Sequence, residues 1–590
     1  MSRVSLASVT LASVFFASSI FTVQAYQLPT LNITARRYVS STIKSGASVT
    51  VLTQEAIRQS GAQSIQEALN MLPQLSALNS SGITGIFMRG YTARDILITV
   101  DGVPLTDPGS VGGAAFLDAI NLDSLDKIEL VEGPQSALYG SQAIAGVLNF
   151  ISKKTGNGYH LQIGDSQLRS GAYGSWDGGN THVFASTQYQ EDHSLSSLKN
   201  TTEKDKTEKG TYTLIWDQKW GGIDTHVMIQ KNNSRVDYDD SFGRRDAPFY
   251  GVISQDIFSS RAHFYALPNI EQILQYGYTR TDRRYEDNFP ARFQGVIESF
   301  SHTAKATLSP YATWFTSLDA TSESWDYYTQ SRLGIGNHLS IDHDLFHTDA
   351  RVRVEKLTQN DTQWITTYGL GFYRMLPGID TLVKANLATG FRLPSVEERY
   401  SPFGGNLLLK PEQSFSKDIS FEKNWGPIQL SLTIFESLIS QKIIYQSTSS
   451  LSGNYANLDG LTRSTGIVYS GSIQDFYGWF LKGGYTNQLA LNDQQKPLPR
   501  IPQEKWTLLA QHPLPSGTLS LSIISVGARQ DGTHPLEAYT LLHSTYTLPL
   551  SAQHTLSVTI KNLTNTAYEE VYGYNTPERQ VLVGLTAQWQ

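Results

Sequence analysis

The sequence contains no cysteine and few charged residues. Among its 590 residues Cys is absent, and Asp, Glu, Lys and Arg together make up 17%. Without cysteine there are no disulfides, thiolate metal sites or thiol nucleophiles. Low charge combined with 11% aromatic residues does not suit a disordered chain. The net charge of -7 argues against a nucleic-acid partner.

Long hydrophobic runs are missing beyond the N-terminus. The mean hydropathy is -0.27, which argues against membrane-spanning helices. A transmembrane barrel escapes such a profile, because only every second residue of each strand faces lipid. The abundant aromatic residues would form girdles at the two membrane interfaces. The chain is also too long for one compact domain of ordinary size.

The first 25 residues have the pattern of a secretory signal peptide. Arg3 precedes an apolar, Ser/Ala-rich run over 4–23, and Ala25 ends a segment with small residues at the usual cleavage spacing. The alternative is a membrane anchor, which the serine interruptions and the weak basic flank disfavour. Residues 26–45 then form a polar leader.

Residues 46–155 predict a compact domain of mixed secondary structure. Thr53 precedes a first helix, and a second helix over 64–72 would stop at Pro73. Asp101 and Gly102 signal a turn after a strand. The predicted strands are 49–52, 86–90 and 95–100.

From residue 156 to 590 the periodicity becomes that of β-strands. Runs of period two, each bounded by turn residues, occur at 274–279, 428–435, 518–524 and 554–560. In the last strand one parity is apolar and ends in an aromatic residue, while the other is mostly polar; a sandwich strand would look similar. The expected lipid-facing residues are Val581, Val583, Leu585, Ala587 and Trp589.

Several motifs give the chain a family resemblance. The segment 128–152, with Gly-Pro-Gln-Ser-Ala-Leu-Tyr-Gly-Ser at 133–141, resembles the end of the plug domain of TonB-dependent outer-membrane receptors. Further similar motifs lie at 87–90, 100–104, 389–395, 409–412, 500–502 and 562–568. The chain most resembles the cobalamin-transporter branch.

The resemblance implies an architecture and a location. We expect a membrane β-barrel of about 22 antiparallel strands at 156–590, with the α+β plug domain of 46–155 inside its lumen. The expected location is the outer membrane of a Gram-negative bacterium. The expected surroundings are lipid and lipopolysaccharide, with the protein acting as a monomer.

Three positions depart from the family pattern. Glu132 stands where the family has Arg before Gly-Pro, although plug arginines of relatives commonly meet barrel glutamates. Arg89 is expected to keep such a latching role, with plain internal packing as the alternative. For Glu132, either the partner charge is also changed or that latch is absent. Glu578 replaces a turn glycine, and Gln590 follows Trp589, which takes the usual terminal aromatic position.

The leader contains a segment that resembles the TonB box. An extended stretch of this kind can add as a strand to the sheet edge of the periplasmic partner, TonB, with alternate side chains in pockets. The alternative is an ordinary disordered terminus. The residues of the box are Thr30, Leu31, Asn32, Ile33, Thr34 and Ala35.

Two plug loops are candidates for ligand contact. Both combine small polar side chains with exposed backbone, which suits an amide-rich ligand; both would also suit solvated turns. The candidate residues are Asn79, Ser80, Ser81, Thr84, Thr106 and Asp107.

An acidic stretch further along the chain raises the possibility of calcium in the outer loops. Oxygen-rich loops can bind Ca²⁺, and cobalamin transporters use it to order such loops, although the spacing is not that of an EF-hand. A solvated loop is the alternative. The acids are Asp237, Asp239, Asp240 and Asp246. No covalent cofactor is expected.

The predicted function is active import of a scarce large nutrient, cobalamin or a related corrinoid. The close alternative is a receptor for a ferric siderophore or haem; a different class would be a passive pore or an adhesive barrel. No enzymatic activity is expected. Ser166 lies in a superficially lipase-like segment, and His343 and His347 lack the glutamate of a zincin motif.

Overall fold

A computed structural model describes most of the chain. The described residues are 32–33, 40–41, 46–80, 82–199, 201, 203–240, 243–343, 345–358, 362–447 and 453–589. The predicted signal peptide lies outside them. Within them, no helix has both the length and the apolar character needed to cross a membrane.

The C-terminal part forms a closed barrel of 22 strands, which confirms the predicted fold class. Neighbouring strands pair antiparallel, and the first closes the ring with the last. The strands are β11 (Asn157–Gly164), β12 (Gln167–Asp177), β13 (Thr181–Leu195), β14 (Asp205–Trp220), β15 (Ile223–Asp240), β16 (Arg245–Leu267), β17 (Ile270–Glu286), β18 (Ala291–Ser309), β19 (Ala312–Trp325), β20 (Tyr328–His343), β21 (Phe346–Thr358), β22 (Thr362–Leu376), β23 (Thr381–Arg392), β24 (Glu412–Trp425), β25 (Ile428–Ser440), β28 (Thr462–Phe476), β29 (Trp479–Leu491), β30 (Glu504–Leu514), β31 (Gly517–Val526), β34 (Tyr539–Pro549), β35 (His554–Lys561) and β36 (Gln580–Trp589).

The two ends of the barrel differ in their connections. At one end short turns join the strands, as at 221–222 and 310–311. At the other end the connections include 393–411, 441–461, 527–538 and 562–579. The first contains helix α4 (Val396–Tyr400), the second the hairpin β26–β27 (Ile443–Ser447, Gly453–Asn457) and the third the hairpin β32–β33 (Arg529–Asp531, His534–Leu536). Outer-membrane barrels have short periplasmic turns and longer extracellular loops, so the long-loop end is the outer end.

Side chains alternate between lipid and lumen along the strands. In β36, Val581 and Val583 are 40% and 47% exposed, whereas Leu582 is buried, as the parity predicts. Ala587 departs from the pattern at 1% exposure, because its short side chain lies beside its strand partner Tyr159. Exposed tryptophans form an aromatic belt at the short-turn end, as expected at a membrane interface: Trp176, Trp220, Trp425 and Trp589.

The N-terminal domain combines two small sheets with short helices. A five-stranded sheet has the order β3-β9-β10-β7-β8, and a three-stranded sheet has the order β4-β5-β6. The strands are β3 (Val49–Thr53), β4 (Leu75–Ser80), β5 (Ile83–Met88), β6 (Tyr91–Thr92), β7 (Ile96–Val100), β8 (Val103–Pro104), β9 (Leu125–Glu132) and β10 (Gly146–Ser152). The helices are α1 (Gln54–Ser60), α2 (Ile65–Asn70) and α3 (Ser136–Tyr139), with 3-10 turns at Ala93–Asp95, Val111–Gly113, Leu117–Ala119 and Leu122–Ser124.

Both predicted plug helices form, and their caps explain where they begin. The Thr53 hydroxyl accepts a hydrogen bond from the Ala56 amide at 3.3 Å, and the Ser64 side chain caps α2 in the same way. Gly61 ends α1 with φ of 77°, a conformation that glycine adopts without strain. The second helix ends at Asn70, slightly earlier than predicted.

The N-terminal domain fills the lumen of the barrel. One hydrophobic cluster contains Ile57 and Leu69 of the plug together with lumen-facing Phe184, Ile215 and Met228 of the barrel. The plug therefore shares its apolar core with the inner wall, and burial of that core holds it in place.

Candidate functional site

Arg89 lies between the plug and the barrel wall. It follows β5 and is only 2% exposed. Its Nη2 lies 2.7 Å from Oε2 of Glu132 in the plug, and its Nη1 lies 3.9 Å from Oδ2 of Asp418 in β24. The guanidinium carbon is also 4.5 Å from the ring centre of Phe435 in β25. Arg89 is thus placed as a latching residue would be; that role stays a prediction.

Among the ion pairs of the described residues, Glu132 pairs within the plug and not with the barrel wall, which corresponds to the second alternative drawn from the sequence, an absent latch. Its cationic partner is Arg89, within the plug, and its Oε1 accepts hydrogen bonds from Ser48 at 3.3 Å and Gln74 at 3.2 Å. The side chain that replaces a family arginine thereby neutralises the neighbouring arginine. This pair is not visible in the sequence, because residues 89 and 132 lie on different sheets.

A second buried charge network joins the plug to the outer loops. Arg392, at the end of β23, lies 2.8 Å from Glu398 of α4 and 2.9 Å from Glu412 of β24. From the plug, Asp95 lies 3.7 Å from Arg392, and Arg94 donates to the Ile443 carbonyl at 2.8 Å. The sequence marked 389–395 as a family motif but did not identify this network.

An outer vestibule of about 210 Å³ lies between α2, the β4–β5 connection and the barrel. Its wall continues into the outer loop 562–579. Seven carboxylates and two lysines line it, so its field is negative: Glu67, Asp118, Asp192, Asp205, Asp237, Glu570, Glu578, Lys209 and Lys561.

The predicted ligand residues of the first plug loop lie at or near this vestibule. Asn79 lines it, and its amide donates a hydrogen bond of 2.9 Å to Glu570. Ser80 is half-buried at the end of β4, and Ser81 lies outside the described residues. Thr84 is 4% exposed, and its hydroxyl donates to Asp118 at 2.8 Å, so it is buried beneath the vestibule.

The predicted ligand residues of the second plug loop are packed against protein. Thr106 is 6% exposed and donates to Gln142 at 2.8 Å. Asp107 is 2% exposed and lies 2.7 Å from Nε of Arg283 in β17. Burial raises the pKa of Asp107, and the Arg283 charge opposes this rise. In this conformation neither residue presents its side chain to the vestibule.

Glu570 is a functional candidate that the sequence did not single out. Its carboxylate accepts hydrogen bonds from Gln66 at 2.6 Å and from the Asn79 amide. Beside it, Lys561 lies 2.6 Å from Glu67 of α2. Residues of the outer loop and of the barrel therefore hold helix α2 and the end of strand β4 of the plug. The only sequence signal was the neighbouring motif at 562–568.

The predicted calcium ligands do not form one group. Asp239 and Asp246 come together with Glu203, with carboxylate oxygens within 4.8 Å of one another. Asp237 instead lies 3.0 Å from Arg235, and Asp240 lies 3.2 Å from Arg245. Three carboxylates fit the oxygen preference of Ca²⁺. Calcium binding by Asp239 and Asp246 stays a prediction, and Glu203 is a third residue that the sequence did not suggest.

The TonB-box residues lie mostly outside the described part of the chain. Asn32 and Ile33 form a two-residue strand, β1 (Asn32–Ile33), which pairs antiparallel with β2 (Ser40–Ser41). Thr30, Leu31, Thr34 and Ala35 are not described. The role of this segment stays a prediction.

Comparison with known proteins identifies the class. Residues 41–147 match the family model of the TonB-dependent receptor plug domain, and residues 154–563 match that of the TonB-dependent receptor-like β-barrel. The chain therefore belongs to the TonB-dependent receptors, which are outer-membrane proteins of Gram-negative bacteria and not enzymes. Its partners are TonB and a large ligand. Ser166 lies in the turn between barrel strands β11 and β12.

Individual relatives point in two directions. The vitamin B12 transporter BtuB of Vibrio cholerae serotype O1 is 24% identical over 635 residues, covering all of both chains. BtuB of Vibrio vulnificus is 24% identical over 610 residues, covering 95% of each. Among solved structures, the siderophore receptor PirA of Acinetobacter baumannii has a TM-score of 0.80 at 14% identity, covering 92% of this chain and 98% of its own. Pseudomonas aeruginosa FpvA bound to pyoverdines has a TM-score of 0.77 at 16% identity, covering 95% and 88%.

Proposed function

We propose that this receptor imports cobalamin or a related corrinoid. The observation that carries the choice of ligand is the acid-rich outer vestibule. A negative field repels anionic ferric chelates and favours a ligand that offers hydrogen-bond donors. The amide side chains of a corrinoid offer such donors to carboxylates like Glu570.

The full-length similarity to BtuB supports the same ligand. The siderophore receptors resemble this chain at low identity, so their likeness concerns the fold. The alternative is a receptor for a ferric siderophore or haem. The plug that fills the lumen argues against a passive pore, because free diffusion needs an open channel.

We propose an import cycle that uses the plug and the leader. Ligand enters the vestibule and alters the contacts that Glu570 makes with Gln66 and Asn79. The segment 30–35 then pairs with TonB, which supplies the force that the outer membrane lacks. We further propose that the protein works as a monomer among lipid and lipopolysaccharide, and that calcium at Glu203, Asp239 and Asp246 orders the outer loops.

Binding measurements on the purified full-length protein test the identity of the ligand. We expect saturable binding of cyanocobalamin and none of an anionic ferric catecholate or of haem. Asp205→Lys should weaken cobalamin binding and admit the anionic chelate, because it reduces the negative field of the vestibule. Asp256→Lys is the matched control, since Asp256 is paired with exposed Lys231 outside the vestibule. Binding of the catecholate or haem alone would refute the ligand assignment.

A further inference from the structure

A second cavity lies between the plug and one side of the barrel. It has a volume of about 680 Å³ and is bounded by the plug and by β12 to β20. It begins beside the short turn 178–180 and reaches Arg332, near the outer end of β20. Its wall mixes apolar side chains with many polar and charged ones, which can bond a hydrated, amide-bearing ligand; examples of the polar ones are His226, Gln275, Thr303, Asp319 and Arg332.

The plug loop 104–113 lies above this cavity. Gly109 packs against Trp325 so closely that an added Cβ would lie 2.7 Å from the indole. On the barrel side, a Cβ at Gly295 would lie 2.4 Å from Asp107. These contacts fall at the outer ends of β18 and β19, whose lower parts line the cavity. The loop therefore covers the outer end of the cavity.

One barrel strand holds this part of the plug. From β17, Gln275 donates to the Asp101 carbonyl at 3.2 Å, and Thr279 donates to the Pro104 carbonyl at 2.8 Å. Arg283 pairs with Asp107 and donates to the Gly109 carbonyl at 2.6 Å. The segment 101–109 is thus fastened mainly along β17, with a further hydrogen bond of 3.2 Å from the Glu397 amide of α4 to the Pro108 carbonyl. Apart from the two-residue strand β8 it contains no regular element.

The opposite side of the plug is fastened differently. Buried Lys505 of β30 donates to the carbonyls of Leu72, between α2 and β4, and of Leu75, the first residue of β4. The cavity on that side borders β3 and the connection 71–74 that follows α2, and it has only about 290 Å³. A route there needs the N-terminal plug segment to unfold, whereas the larger cavity needs only the 101–113 segment to move.

We propose that the imported nutrient crosses the barrel through the β12–β20 cavity, and that the plug segment 101–113 is the gate that opens it. This inference rests on the proposed import function. Force applied at the leader is relayed through the plug sheet, where β8 is the edge strand that carries residues 103 and 104. Movement of that edge off β17 joins the cavity to the outer face.

Engineered disulfides test the route directly, because the chain has no cysteine of its own. A Cβ at Gly277 of β17 would lie 2.9 Å from Cγ1 of Val103, so the pair V103C/G277C is within disulfide reach. A Cβ at Gly484 of β29 would lie 3.1 Å from Cβ of Pro73, which gives the control pair P73C/G484C. The two strands are ten positions apart in the ring of 22.

Uptake and binding are measured in cells under oxidising conditions and again after reduction. The probe is cyanocobalamin or, if the parent chain does not import it, a ferric catecholate, so a wrong ligand and a wrong route are detected separately. We expect V103C/G277C to bind normally but lose uptake until reduced, while P73C/G484C keeps uptake. Block by P73C/G484C, or uptake through oxidised V103C/G277C, would overturn the proposed route.

Discussion

Arg89 and Glu132 form a buried ion pair inside the plug, 2.7 Å apart, at a position where relatives are expected to carry two arginines. Because of this pair, the positive charge of Arg89 is neutralised within the plug as well as by the barrel wall. Asp418 then stands 3.9 Å from Arg89 as the nearest barrel carboxylate. The buried positive charge of the plug is therefore neutralised partly by a carboxylate of the plug itself.

Removing the arginine alone should be more harmful than removing both partners. Arg89→Met leaves the carboxylates of Glu132 and Asp418 buried without their cation, which typically costs about 3–5 kcal/mol. The double variant Arg89→Met/Glu132→Gln removes one of those charges and should recover part of that stability. Hydrogen exchange of the β5 and β9 amides of the plug, in the purified full-length protein, measures the stability of both variants. Equal protection in the two variants would show that the unpaired Glu132 carboxylate is not what destabilises Arg89→Met.

Breaking the Asp107–Arg283 pair should make the closed barrel leak. Arg283→Met leaves a buried carboxylate unpaired above the large cavity, which favours displacement of the loop. We expect higher conductance in planar bilayers than for the parent. Arg280→Met is the matched control, because Arg280 lies in the same strand with its side chain 41% exposed. A leak of equal size in both variants would remove the special role of Asp107.

The outer loop 562–579 should pack less firmly as pH rises. Burial raises the pKa of Glu570 to about 7, despite its hydrogen bond from Asn79 and the Arg529 charge. A carboxyl group whose pKa is raised by folding stabilises the folded state fully at pH values below its ordinary pKa. This stabilisation is lost as the pH rises through about 7. Limited proteolysis of this loop should accelerate between about pH 5 and pH 8. Glu570→Gln should flatten the profile; an unchanged profile would contradict the assignment.

Calcium should slow proteolysis of the outer loop that contains residue 203. Partial burial and the charges of Asp246 and Asp239 raise the pKa of Glu203, and a bound cation would relieve this repulsion. Glu203→Gln should weaken the calcium effect on loop proteolysis. Asp237→Asn is the control and should leave it unchanged, since Asp237 is paired with Arg235. If Asp237→Asn weakened the calcium effect and Glu203→Gln did not, the result would favour the group of acids expected from the sequence alone.

Local signals account for the parts of the fold that sequence predicts well. Thr53 and Ser64 cap the helices they precede, and the alternation of Val581, Leu582 and Val583 gives the two faces of β36. Each depends on neighbours in the chain, so periodicity and capping suffice. The strand number came from family resemblance and not from the pattern.

The site depends on contacts that no local pattern contains. Asn79 and Glu570 are 491 residues apart and meet only because the barrel closes around the plug. Glu203, which precedes β14, meets Asp239 of β15 and Asp246 of β16 because the registers of β14 to β16 bring their outer ends together. A shift of one residue in that register would send alternate side chains to the other face. Motif spacing alone therefore did not suggest Glu203 as a neighbour of Asp239 and Asp246.

Deletion of residues 28–35 tests most directly whether import by this protein is energised. Cells expressing the full chain and the deleted chain are compared for binding and for uptake of labelled cyanocobalamin. Surface binding should be equal in both, while uptake should be lost from the deleted chain, because the segment that engages TonB is gone. Equal uptake by the two chains would contradict energised import and indicate passive passage through the barrel.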